Sequence, residues 1–207
     1  MICKSSIVNH QFEFLSVLSV SVALPVFLGV LAPWREIFLR SFLLPRVIHP
    51  VCRGISILKK RIRQELFEEY NLARRITVRG PDTEPELHFM YTDPVVELPV
   101  MHDGQLVIYE WGNRGNKESK LPRTGWCRTE SLEAGKWRWL RPEPIEIPAD
   151  FGLEKGVWFQ IQQGLRGIVV EDEQRRPHVY MLTLPASHYY QTMTKHDRMP
   201  DLVDQEI

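Results

Sequence analysis

Cysteine is scarce in this chain: Cys3, Cys52 and Cys127 are an odd number at wide spacing. That count excludes a disulfide framework and a cysteine-based zinc site, both of which need paired cysteines, and it fits a reducing compartment. Net charge is lacking too, because Lys+Arg and Asp+Glu each total 26. Bulk electrostatics therefore select no polyanionic partner, and any nucleic-acid surface has to be local. Internal repeats and low-complexity segments are absent. His178 and His188 have no partners at metal-ligand spacing and are assigned no site; the sequence implies no metal and no organic cofactor.

What is present divides at about residue 50. At 207 residues there is room for one ordinary domain and an appendage. Phe14 to Trp34 carries no charge and approaches the roughly 20 apolar residues that cross a bilayer as a helix, although Pro25 and Gly29 interrupt it. Arg35, Arg40, Arg46, Arg53, Lys59, Lys60 and Arg61 follow, against Lys4 alone before, so a span at 14–34 would leave the following domain in the cytoplasm. No clean small-residue cleavage site marks a secretory signal. A second reading takes residues 1–50 as upstream sequence from a wrongly assigned start, with Val51 the true initiator. Either way residues 51–207 form the domain, and its expected location is cytoplasmic, free or membrane-anchored.

Within that domain Leu58, Ile62, Leu66 and Tyr70 recur every four residues, widened by Ile55 and Phe67, and predict one amphipathic helix from about Ile55 to Leu72. Lys59, Lys60, Arg61, Arg63, Glu65, Glu68 and Glu69 fill its solvated face. The texture then changes to short runs broken by proline and glycine. Leu87 to Tyr91, Val95 to Val100, Gln105 to Trp111, Val157 to Ile161, Gly167 to Val170 and His178 to Leu184 read as strands, with His102-Asp103-Gly104 a hairpin turn. Trp137 and Trp139 alternate as one face of a strand. Asn113 to Arg123 is a polar loop, and Arg141 to Pro148 is extended. Pro185 and Ser187 open a helix running to about Thr194. The expected class is α+β, a curved and mainly antiparallel, barrel-like sheet with a few flanking helices.

Three stretches in order resemble the SRAP family, the SOS-response-associated peptidase-like proteins that crosslink to abasic sites in single-stranded DNA. Val51-Cys52-Arg53-Gly54-Ile55-Ser56 resembles the family's start, where an initiator methionine precedes a reactive cysteine, with the following glycine and arginine exchanged here. Ile147-Pro148-Ala149-Asp150-Phe151-Gly152-Leu153-Glu154 is similar to the segment ending in its active-site glutamate. Lys195-His196-Asp197-Arg198-Met199-Pro200 is similar to its closing histidine motif. Trp111-Gly112 matches a tryptophan-glycine pair. Trp126-Cys127-Arg128-Thr129-Glu130 matches an asparagine, arginine and glutamate segment, with Trp126 where the asparagine stands.

The residue types fit that chemistry. An N-terminal cysteine offers a thiol and an α-amine that together turn an aldehyde into a thiazolidine ring, which neither group forms alone. Glu154 and His196 are suited to move the protons near neutral pH. Arg53, Arg128 and Arg198 are the candidate phosphate contacts, and Trp111 a candidate base-stacking platform. The resemblance thus implies catalytic Cys52, Glu154 and His196, a single-stranded DNA partner bearing abasic sites, and a role in the DNA damage response. It requires Cys52 to become the first residue, by initiation at codon 51 or by cleavage of the Val51–Cys52 bond. Two rival readings are a membrane-tethered, non-catalytic member of the same fold and a cysteine peptidase acting on other proteins through Cys52 and His196. Nothing in the sequence bears on oligomeric state.

Overall fold

Ile55 and Ile57 are both fully buried, and a two-residue spacing between inward side chains belongs to a strand. The computed structural model describes residues 51–207; the candidate span at 14–34 and the rest of the first fifty positions lie outside the described residues. Gly54–Leu58 forms β1, followed by a 3-10 turn at Lys59–Arg61 and a short helix, α1, at Gln64–Glu69. The single helix expected from residue 55 to 72 is thereby corrected. Its periodicity is real in the second half, where Ile62 and Leu66 are buried and Tyr70 packs on the core. Its first half pairs with a strand along each edge, and that pairing outweighs local periodicity.

A further 3-10 turn, Leu72–Arg75, leads to β2 (Ile76–Thr77), β3 (Glu86–Met90) and the hairpin of β4 (Glu97–His102) with β5 (Gln105–Trp111). That hairpin turns at Asp103 and Gly104 with φ of 50° and 73°, the two positive values its sequence predicts. Then come β6 (Trp126–Arg128), α2 (Thr129–Glu133), β7 (Glu143–Ile147), β8 (Phe151–Glu154), β9 (Val157–Gln160), β10 (Leu165–Glu171), β11 (Pro177–Pro185), α3 (His188–Thr194) and β12 (Arg198–Pro200). Trp137 and Trp139 do not share a strand face. Arg138–Leu140 is a 3-10 turn, so Trp137 is buried against Tyr180 with ring centroids 4.9 Å apart, while Trp139 is 59% exposed.

The strands make two sheets. One runs β2-β3-β1-β8-β9 and is antiparallel throughout. The other runs β10-β7-β4-β5-β11-β12, with β6 also on β11. Because β10 pairs with β11 as well, β10, β7, β4, β5 and β11 close into a ring. The contacts of β11 with β5 and β6 are parallel; the remaining pairings are antiparallel. The fold is the α+β, mainly antiparallel, barrel-like arrangement with a few short helices that the sequence predicts.

One core joins the sheets. Ile55, Ile57, Leu87 and Phe89 face Leu98, Val100, Val179 and Met181 within a single buried cluster, each such side chain contributing about 1.5–3 kcal/mol. The alternate residues of β11, Tyr180 and Leu182, enter a second cluster with Cys127, Trp137, Ile168 and Val170. Buried on both faces, β11 is a rigid post on which β6 and β12 are hung.

Candidate active site around Cys52

Antiparallel pairing of β1 with β8 sets Gly54 opposite Leu153. The residues just beyond, Cys52 and Glu154, therefore meet at one end of that sheet. The Cys52 backbone N–H donates to Glu154 Oε2, and its Sγ lies 3.3 Å from the Gly54 carbonyl oxygen. Neither residue has exposed surface. Cys52 sits in the left-handed region at φ 51°, a conformation costly for a residue with a side chain and found most often where surrounding structure and function enforce it.

Glu154 ends β8, and Lys155-Gly156 form a two-residue turn with φ of 46° and 85° that returns the chain as β9. Space for this hairpin comes from Gly152, where a Cβ would collide with the Phe159 ring. Lys155 Nζ donates to the Lys195 carbonyl at 2.6 Å, fastening the turn to the C-terminus of α3. The helix itself starts as its sequence predicts: the Ser187 hydroxyl accepts the Tyr190 N–H at 3.0 Å. It ends at Lys195, whose φ of 56° turns the chain inward and leaves His196 only 7% exposed. His196 Nδ1 accepts the Arg198 N–H at 3.1 Å. The neutral ring consequently carries its proton on Nε2.

Electrostatics follow from this burial. Desolvation pushes the Glu154 carboxyl up, against the opposing pull of the Cys52 N–H, His196, Lys155 and Arg53. Its Oε1 is buried with no hydrogen-bond partner among the described residues. The Cys52 thiol is pushed up to about 12, first by burial and then by Glu154. The cluster thus holds a nucleophile in its neutral form beside a carboxyl group biased toward its own neutral, proton-donating form.

Of the residues singled out by sequence, Cys52 and Glu154 meet at a hydrogen bond, and His196 lies close enough for its charge to act on the Glu154 carboxyl. Arg53 and Arg128 are exposed. Arg198 is corrected: its guanidinium is not free for phosphate but grips Glu130 at 2.6 and 3.0 Å and Thr183 Oγ1 at 3.2 Å, holding the Glu130 carboxyl down at about 2. Trp111 is corrected as well. It has no exposed surface, and its indole N–H donates to the Gly125 carbonyl at 2.9 Å, so it is a core residue with no face for a base. Two half-buried rings lie beside the Cys52 end of β1: Tyr91, whose N–H donates to the Arg53 carbonyl at 2.8 Å, and Trp126, packed on Tyr91 with centroids 4.4 Å apart.

Sequence reasoning missed Tyr190. It is fully buried, its hydroxyl has no hydrogen-bond partner, and its ring packs edge-on to Phe159 at 5.4 Å. No signal in the sequence separates it from its neighbour Tyr189, which is 63% exposed.

A cavity of about 750 Å³ lies elsewhere, beside His102, Tyr109 and Trp139, and none of Cys52, Glu154 or His196 lines it. Its walls mix Glu143, Glu171 and Glu173 with Lys120, Arg141 and Arg175, and charges of both signs in one rim select no ligand class. Among the described residues no group of three or more His, Cys, Asp or Glu is placed to hold a metal ion. No known protein family matches the chain, and neither a curated protein nor a solved structure matches it.

Proposed function

We propose that residues 52–207 capture abasic sites in single-stranded DNA covalently, through the thiol and α-amine of Cys52 once that residue is the first of the chain. The observation that carries this reading is the contact of the Cys52 nitrogen with Glu154 Oε2, in a site that includes His196. The nitrogen that must attack an aldehyde already rests against a carboxyl group.

The steps balance without an oxidant or a reductant. The Cys52 amine forms a C–N bond to the aldehyde carbon of the open sugar, and its surplus proton passes through Glu154 to the oxygen, giving a carbinolamine. A proton from Glu154 onto that hydroxyl lets the C–O bond break and water leave as an iminium forms. Sγ then bonds to the same carbon, the C=N electron pair returns to nitrogen, and the thiol proton restores Glu154. One aldehyde and one aminothiol become one thiazolidine and one water. His196, with a proton on Nε2, is suited to act on the sugar hydroxyl during ring opening.

A free amine at Cys52 arises by initiation at codon 51 with loss of the initiator, or by cleavage of the Val51–Cys52 bond. Val51 is itself only 7% exposed, so its removal uncovers the Cys52 nitrogen. Exposed Arg53 and Arg128 are the phosphate contacts, with Tyr91 and Trp126 offering ring surface to bases. Work on cytoplasmic single-stranded DNA, in the response to damage, is the setting this chemistry fits. One observation favours a binding-only alternative: Trp126 fills, with a bulky indole packed on Tyr91, the position where the resembling family carries an asparagine.

The test is a denaturing gel of a chain beginning Met-Cys52, its Cys52→Ala variant and the full-length chain, each mixed with single-stranded DNA bearing one abasic site. A shifted band from the short wild type alone is the expected result. No band from any of them, with each giving a cooperative thermal unfolding transition, would leave the binding-only alternative in its place.

A further inference from the structure

Tyr190 belongs to no step above, yet its position is set as closely as that of any group in the site. The Ser187 cap fixes the first turn of α3, and Tyr190 and Thr194, four residues apart, are its buried positions. The ring lies edge-on to Phe159, which itself covers Gly152, two residues ahead of Glu154 on β8. On the other side, the Thr194 hydroxyl donates to the Tyr190 carbonyl at 2.8 Å and accepts the His196 N–H at 3.3 Å. One short turn of chain therefore sets both Tyr190 and His196.

Its hydroxyl is an unexplained expense to the fold. Among the described residues it is buried without a hydrogen-bond partner, as is Glu154 Oε1, and a buried polar atom left unpaired is destabilising. Phenylalanine would fill the same volume without that penalty. Unpaired polar atoms on two residues beside one nucleophile are the kind of exception to the rules of packing that functional sites carry. Burial, with Cys52 and Glu154 nearby, raises the Tyr190 pKa, so the phenol stays protonated and acts as a donor.

We propose that Tyr190 is a catalytic residue whose hydroxyl donates a hydrogen bond to the aldehyde oxygen, and then to the carbinolamine hydroxyl, while the Cys52 nitrogen adds to carbon. This rests on the covalent reading of Cys52. The hydroxyl keeps its proton throughout; it stabilises the negative charge that grows on oxygen as the C–N bond forms, and the proton that completes the hydroxyl comes by way of Glu154.

The experiment uses the full chain with a site-specific protease sequence placed directly ahead of Cys52, cut after folding to free the Cys52 amine. Wild type and Tyr190→Phe are compared in their rates of adduct formation with abasic single-stranded DNA and, separately, with glyoxylate, a small aldehyde that needs no DNA surface. Thermal unfolding and non-covalent binding of intact single-stranded DNA are measured alongside. The expected result is a loss of about 100-fold in both rates, with DNA binding unchanged and a melting temperature equal to or above wild type. Equal rates in the two proteins would overturn the role of Tyr190. If wild type reacts with glyoxylate in a Tyr190-dependent way but not with abasic DNA, the DNA reading fails while the role of Tyr190 stands.

Discussion

Asp172 and Glu154 are both buried carboxylates with a histidine for a neighbour, and their proton affinities move in opposite directions. Asp172 Oδ1 accepts the N–H groups of Gln174 and Arg176 at 2.8 and 2.9 Å, and Oδ2 accepts Arg176 Nε at 2.8 Å and lies 3.5 Å from His178 Nε2. Burial pushes its pKa up, but those donors outweigh burial and hold it down at about 2. Glu154 has one N–H on Oε2, nothing on Oε1, and a pKa pushed up by burial. The difference lies in donor count together with depth, since Glu154 has no exposed surface and Asp172 keeps 8%. A carboxylate whose lone pairs are filled cements a turn, whereas one left short of donors holds a proton that chemistry can use.

Breaking each member in turn separates these roles. Glu154→Gln keeps the shape and removes the proton reserve. Its adduct-forming rate should fall by about 100-fold or more, while thermal stability holds or rises, read by single-turnover gels and calorimetry. Asp172→Asn should do the reverse. An amide nitrogen turned toward the Arg176 guanidinium leaves that donor unpaired, so urea denaturation should report a loss of about 2–3 kcal/mol, with the adduct rate per folded molecule unchanged.

The dependence of stability on pH sharpens the same contrast. Asp172 is depressed in the folded state, so its contribution is present above its ordinary value of 3.8 and is lost as pH falls toward about 2; that arm is worth about 2 kcal/mol and should vanish in Asp172→Asn. Glu154 is raised in the folded state, so the native protein holds a proton that the unfolded chain releases. Stability should therefore decline as pH rises above the ordinary carboxylate range, and Glu154→Gln should flatten that decline in urea titrations across pH. The smallest effect expected is at the two arginines. Arg128→Ala should lower the salt slope of single-stranded DNA binding by about 0.7. Arg198→Lys, which loses its two-pronged grip on Glu130 but no phosphate, should leave that slope alone.

The strands and the last helix were readable because their signals are local. Gln105 to Trp111 forms β5 residue for residue, the Asp103-Gly104 turn has its two positive φ values, and Ser187 caps α3. β1 was not readable, because hydrogen bonding to strands from residues 86–90 and 151–154 decides it, and no window of neighbouring residues contains those partners. Within the site, Cys52, Glu154 and His196 were legible from short motifs. Trp111 was misread because an aromatic residue at a strand end looks the same in sequence whether its N–H meets solvent or, as here, the Gly125 carbonyl. Tyr190 was missed for the opposite reason: only the tertiary structure reveals that its hydroxyl is buried and unpaired.

The most direct test of the central claim is the intact mass of the product formed, without borohydride and after heating, between a chain beginning at Cys52 and single-stranded DNA with one abasic site. A species at the sum of the two masses less one water, missing in Cys52→Ala and in the chain that keeps residues 1–51, is the predicted result. An adduct that persists in Cys52→Ala, or none from any folded chain, would contradict it.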